Sequence, residues 1–143
     1  MLGDVPFKLM NGAHRFLLTM SGGRLGWQVF GMPVLELTTV GRKTGRPHNV
    51  LLTSPVQEGR ALIVVASRGG TDRSPAWLLN LRANPGVEVA LQGRPRRPMR
   101  ARIATADERS RLWPLVVARY RNYGTYQIRT QRQIPLVLLE PAD

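Results

Sequence analysis

The sequence predicts a mainly β protein with short helices, its six-stranded antiparallel sheet closed into a small barrel. Three observations carry the prediction. Apolar residues fall in short runs that alternate or are rich in β-branched side chains. Tight turns containing glycine or proline join these runs, as in hairpins. Few stretches have helical spacing, too little helix to cover both faces of a parallel sheet.

Phe7, Met10, Ala13, Leu17 and Met20 recur at helical intervals and Gly22-Gly23 stops the pattern, which predicts an amphipathic helix over 7–20. Arg24 to Pro33 carries no firm signal. Val34 to Val40 alternates and is β-branched, so it reads as a strand. Gly41-Arg42-Lys43-Thr44-Gly45-Arg46-Pro47 is a turn, and Asn49 to Val56 the second strand. Glu58-Gly59 turns into Ala61 to Ala66, whose unbroken apolar run suits a strand buried on both faces. These three strands make a predicted antiparallel meander, which would bring the turn after residue 40 close to the loop Ser67-Arg68-Gly69-Gly70. Ser74 and Pro75 suit the N-cap and first position of a helix with Trp77, Leu78 and Leu81 on its apolar side, ended by Asn84-Pro85. Val87 to Leu91 and Arg97 to Ile103 form a hairpin across Gly93-Arg94-Pro95. Met99, Ala101 and Ile103 face one way on the returning strand, Arg100 and Arg102 the other. Thr105-Ala106-Asp107-Glu108 is a capping box. Trp113-Pro114 is expected to divide the helix that follows, because proline costs about 3 kcal/mol inside a helix. Tyr120, Tyr123 and Tyr126 follow at regular spacing, and Ile134 to Leu139 is the last strand.

The 143 residues suit one domain, and no internal repeat divides them. There is no cysteine, and the only histidines are His14 and His48. A disulfide framework, an iron–sulfur cluster, a thiolate nucleophile and a three-imidazole metal site in one chain are thereby excluded. The nine acids are scattered, and the adjacent pair Asp107-Glu108 is accounted for by capping. Paired-carboxylate hydrolysis and a divalent metal site are therefore not expected. Charge is the outlier: the net value is +12, and of 21 bases only Lys8 and Lys43 are lysine. Such a chain attracts nucleic acid, an acidic membrane surface, or a phosphorylated, carboxylate-rich small molecule. No apolar stretch approaches the ~20 residues of a membrane span, and a cytoplasmic location is expected.

The turn after Val40 is the first positive signal. Glycines at its ends expose backbone N–H groups, while Arg42, Lys43 and Thr44 add two cations and a hydroxyl, which makes an anion cradle. It is not a P-loop, because Arg42 stands where that motif needs glycine. The alternative is a solvated hairpin tip. Ser67-Arg68-Gly69-Gly70 likewise offers a cation and glycines that let a ligand approach the backbone, or is a plain loop. Trp77 and Asn80 share a helix face, for packing or for a ligand. The tyrosines either pack on the barrel or line a pocket and offer hydroxyls to a carbonyl.

Leu37-Thr38-Thr39-Val40-Gly41-Arg42-Lys43-Thr44-Gly45, Ala66-Ser67-Arg68-Gly69-Gly70, Pro75-Ala76-Trp77-Leu78-Leu79-Asn80-Leu81, Ala83-Asn84-Pro85, Trp113-Pro114, the tyrosine triplet and Ile134-Pro135 occur in an order and spacing that resemble the deazaflavin (coenzyme F420)-dependent nitroreductase family, in its quinone and enone reductase branch. The resemblance covers about residues 34–141. It implies a split β-barrel like that of FMN-binding oxidases, over a single domain 1–143 with a variable helical segment 1–33. It implies coenzyme F420, a deazaflavin with a phosphate and an oligoglutamate tail. It also implies hydride transfer from the reduced cofactor to a small-molecule acceptor: a quinone, nitro-heterocycle or activated enone. Phosphate and tail contacts would fall on Arg42, Lys43, Thr44 and His48. Further cofactor contacts would fall on Asn49, Val50, Leu51, Leu52 and Thr53, on Val65, Ala66, Ser67 and Arg68, and on Ala76, Trp77 and Asn80. Tyr120, Tyr123 and Tyr126 would stand on the acceptor side as catalytic candidates, Tyr123 also touching the cofactor. Peripheral membrane contact would come from the N-terminal helix. Two other readings stay open, an FMN-binding split-barrel oxidoreductase and a small basic nucleic-acid-binding barrel. Aromatic residues at 6%, with no run of aromatics and bases on a strand, argue against a nucleic-acid partner.

Overall fold

A computed structural model describes residues 28–142 apart from Phe30. The helix expected over 7–20, and most of the segment 1–33, lie outside the described residues. The elements are β1 (Gln28–Val29), β2 (Met32–Val40), β3 (Pro47–Thr53), β4 (Val56–Glu58), β5 (Ala61–Val65), a 3-10 turn (Arg68–Gly70), α1 (Ala76–Ala83), β6 (Gly86–Leu91), β7 (Arg97–Ile103), α2 (Ala106–Arg119), α3 (Arg121–Ile128) and β8 (Leu136–Pro141). All strand pairs are antiparallel, and the sheet runs β3-β2-β6-β7-β8-β5-β4, with β1 also on β2.

The two edge strands, β3 and β4, are consecutive in the chain. The sheet therefore curls into a barrel whose seam is spanned by Ser54-Pro55. Pro55 has no N–H for a ladder, so pairing stops there. Ser54 is fully buried, and its hydroxyl lies 2.9 Å from the Val56 carbonyl and 2.7 Å from that of Ile63. Its backbone N–H donates to the Pro33 carbonyl at 3.1 Å, which ties the seam back to β2. The strand expected over 49–56 is thus two strands. With the short β1, the described residues contain eight strands rather than six. The expected meander also gives way: β3 pairs with β2, whereas β5 pairs with β4 and β8.

Alternation along the strands builds two cores. Leu35, Leu37, Leu62, Val64, Val87, Val89, Met99, Ala101, Val137 and Leu139 fill the barrel, and Trp77, Leu78 and Leu81 of α1 close it. Ile63, Val65, Leu136 and Leu138 point outward and meet Leu112, Val116 and Tyr123 of α2 and α3. β5 and β8 are accordingly buried on both faces, as the unbroken apolar runs required.

Two helix expectations are corrected. Pro75, with extended ψ of 148°, is the N-cap of α1, and no side chain caps that end. Ser74 is not the cap. Trp113-Pro114 does not divide α2, which runs unbroken through Pro114. Pro114 and Ser110, whose carbonyl loses its partner, are both exposed, so water can replace the bond. Leu112 and Val116 anchor the helix on either side of the proline. The break comes instead at Tyr120, which is extended at φ −138° and ψ 91°.

Candidate active site

A cleft of about 870 Å³ opens at one end of the barrel, between the end of β2, the 41–44 turn, the start of β3, the Arg68 turn and α1. The turn that forms its floor is closed by Gly41 N–H donating to the Arg46 carbonyl at 2.8 Å and Gly45 N–H donating to that of Gly41 at 2.9 Å. Gly41 lets the His48 and Thr44 side chains close over the turn: a Cβ would lie 2.6 Å from both His48 Nε2 and Thr44 Oγ1, and the two side chains would have to move aside. Buried Asn80 fixes the turn from α1. Its Oδ1 accepts from Arg42 N at 3.2 Å and Arg42 Nη1 at 3.1 Å, and its Nδ2 donates to Thr39 Oγ1 at 3.2 Å.

The lining includes Arg42, Lys43, Arg68, Arg73 and His48, with no carboxylate among the described residues that line it. Thr44, Asn49 and Ser74 add polar groups, and Val50, Pro75, Trp77 and Leu79 add apolar surface. The first turn of α1 contributes Ala76, and no acidic residue occupies that turn. The partial positive charge of a helix N-terminus adds to the cations.

Farther along β3 the surroundings change. Thr53 Oγ1 lies 3.4 Å from the Tyr123 hydroxyl, which also points at Met32 Sδ at 3.7 Å. Tyr123 meets Tyr120 and Tyr126 edge to face, with ring centroids 6.4 and 5.9 Å apart. It is buried, and that burial pushes its phenol above the ordinary value near 10, against a smaller lowering by the Thr53 hydrogen bond. From His48 to Thr53, β3 spans about 17 Å at the usual ~3.3 Å per residue.

The structure thus brings Arg42, Lys43, Thr44, His48, Asn49, Val50, Arg68, Ala76, Trp77 and Asn80 into one cleft. It does not bring Leu51, Leu52, Thr53, Val65, Ala66 or Ser67 to that lining. Leu51, Val65, Ala66 and Ser67 are buried, Leu52 packs on the barrel core, and Thr53 stands at the tyrosine end. The tyrosines form a separate cluster.

The family model for F420H(2)-dependent quinone reductases matches residues 13–141. This chain belongs to that family. It is 39% identical over 130 residues to the F420H(2)-dependent quinone reductase Rv1261c of Mycobacterium tuberculosis, covering 88% of this chain and 86% of that one. A solved F420-H2 dependent reductase (FDR-A) superposes with a TM-score of 0.66 at 37% identity, over 76% of this chain and 94% of its own. A solved domain-swapped dimer superposes with a TM-score of 0.67 at 33% identity, over 94% and 99%. As a member of the F420H(2)-dependent quinone reductases, the protein is an oxidoreductase whose cofactor is reduced coenzyme F420, and its split-barrel-like fold is that of its relatives.

The cleft's donor set fits that cofactor. A phosphate and several carboxylates need cations and hydrogen-bond donors without competing acids, and side chains of the lining supply both; the N–H groups of Gly41 and Gly45, expected to be exposed, are instead bonded inside the turn. Sequence reasoning missed Arg73 and gave Ser74 only a capping role. The available signal was their position immediately before a helix whose N-terminus has no acidic or capping side chain.

Proposed function

We propose that Arg42, Lys43, Thr44, His48, Arg68 and Arg73 hold the phosphate and oligoglutamate tail of F420. The rest of the cofactor would meet β3 as far as Thr53, Val65 at the end of β5 with Ala66 and Ser67 after it, and Ala76, Trp77 and Asn80 of α1. The observation that supports this most directly is the acid-free cationic lining of the cleft. When bound, the reduced cofactor supplies the hydride, and the protein contributes binding, orientation and a hydrogen-bond donor. Tyr120, Tyr123 and Tyr126 wall the acceptor. The Tyr123 hydroxyl stays protonated, because burial disfavours its anion. Its present partners, at 3.4 and 3.7 Å, are distant enough for an acceptor oxygen to compete for the proton.

A hydrogen bond to an acceptor oxygen suits nitro-heterocycles and activated enones as well as quinones, and we extend the acceptor range to all three. The same reading takes residues 1–143 as one domain with a small-molecule rather than a nucleic-acid partner. It also gives the N-terminal segment a peripheral contact with a membrane surface. No described helix is long and apolar enough to cross a membrane. The buried Tyr123 and its edge-to-face neighbours are not presented for base stacking, which disfavours nucleic-acid binding. The test is oxidation of reduced F420 by the purified protein with a quinone, a nitroimidazole and a cyclohexenone. Turnover with all three is expected; turnover with the quinone alone would restrict the acceptor class, and equal turnover with reduced FMN would contradict the cofactor assignment.

A further inference from the structure

Arg68 enters the cleft from a turn with φ of +46°, a left-handed conformation uncommon outside glycine. Such a backbone persists where surrounding structure fixes it, and it clusters at functional sites. Two features fix it here. Gly70, at φ +80°, passes so close to α3 that a Cβ would lie 2.6 Å from the Tyr126 carbonyl oxygen. Arg132 is the second. Its Nη2 lies 3.2 Å from the Ala66 carbonyl and 2.8 Å from that of Ser67, and its Nε donates to the Thr71 carbonyl at 2.9 Å. These carbonyls bracket the Arg68–Gly70 turn on both sides. Thr130 Oγ1 adds a bond to Asp72 Oδ1 at 2.7 Å and accepts from Arg132 N at 3.3 Å.

Arg132 does not line the cleft, and its Nη1 is buried without a hydrogen-bond partner among the described residues. The planar guanidinium reaches both ends of the loop at once, which a lysine ammonium, a compact point donor, does less well. We propose that Arg132 is a positioning residue for cofactor binding: it clasps the loop 66–72 so that Arg68 is presented to the anion cleft. This rests on the reading that the cleft holds the F420 tail.

The experiment is a fluorescence titration of the full chain with F420, comparing Arg68→Ala, Arg132→Gln, Arg132→Lys and the Arg68→Ala/Arg132→Gln double variant, each checked for folding by thermal melt. Arg132→Gln should weaken F420 binding about tenfold, close to the loss in Arg68→Ala, and should add less than twofold in the Arg68→Ala background, as coupled sites do. Arg132→Lys keeps the charge and should still bind several-fold more weakly than the native protein. Native affinity in Arg132→Lys would assign the effect to charge alone and overturn the proposal. So would an Arg132→Gln loss of equal size in both backgrounds, or unchanged affinity in a folded Arg132→Gln. If Arg132→Gln does not fold, Thr130→Val releases the same loop at Asp72 and takes its place in the cycle, with the same criteria. Native affinity in both Arg68→Ala and Arg42→Ala would remove the cleft reading itself, a different failure from that of the clasp.

Discussion

Arg42 is held ready before any ligand arrives. Asn80 Oδ1 receives both its backbone N–H and one guanidinium nitrogen, so the side chain is oriented along the cleft wall. A charge-assisted bond from such a group contributes roughly 1.5–3 kcal/mol. Arg42→Ala or Lys43→Ala should therefore lower F420 affinity about 10- to 100-fold, and salt added to the native protein should reproduce part of the loss. Equilibrium titration at two ionic strengths checks this. Tyr123→Phe removes only a hydroxyl and leaves the buried ring in its edge-to-face contacts. If its hydrogen bond strengthens in the transition state, kcat should fall about tenfold, less than the 2.7–4 kcal/mol lost with an oxyanion-hole donor because water can partly replace it. The melting temperature should stay near the native value. Steady-state kinetics on a quinone beside a thermal melt separates this from a packing role, which predicts normal turnover.

Among the elements, α2 carries a pH dependence of its own. Glu108 completes the capping box with Thr105 and also pairs with Arg102, Nη1 and Nη2 lying 2.7 Å from its two oxygens. Arg102 first, and the Thr105 backbone N–H second, hold its carboxyl down to about 2 from an ordinary 4.5. A depressed folded value means that this contribution is present above pH 4.5 and is lost as pH falls toward 2. Glu108→Gln should melt below the native protein at pH 7, and the gap should close near pH 2; melts across that range read it directly. The loop that carries Arg68 gives a second element-scale expectation. Gly70→Ala combines a positive φ with a Cβ against the Tyr126 backbone, which cannot rotate away. It should destabilise by more than the roughly 1–2 kcal/mol that a left-handed conformation alone costs an L-residue, measured by denaturant unfolding.

The faces of β7 were readable from sequence, because a period of two is a local property of the chain, and so was the burial of β5 on both faces, from its unbroken apolar run. The capping box was readable for the same reason. The seam was not: Ser54-Pro55 looks like the frayed end of a strand, and its role depends on carbonyls of Pro33 and Ile63 that carry no side-chain signal. The Arg132 clasp was hidden likewise, since all its acceptors on the loop are backbone. Proximity of the two basic turns was anticipated, but it does not arise from a meander. β3 lies at one end of the strand order and β5 next to the other, and closure of the barrel brings both turns to one cleft.

At the scale of the whole molecule, a net charge of +12 surrounds a fold whose functional cleft is lined with cations and no acid among the described residues. The field of the protein and the local donors act in the same sense, drawing a polyanionic cofactor to one end of the barrel. FMN also carries a phosphate but lacks the oligoglutamate tail, so it gains only part of this attraction. Parallel titration of the native protein and Arg42→Ala with F420 and FMN at low salt tests that directly. Tight binding of F420, weaker binding of FMN, and a larger loss for F420 than for FMN on removing Arg42 are predicted. FMN binding as tightly as F420, or an Arg42→Ala protein that binds F420 as the native one does, would contradict the assignment of the cleft to the cofactor's tail.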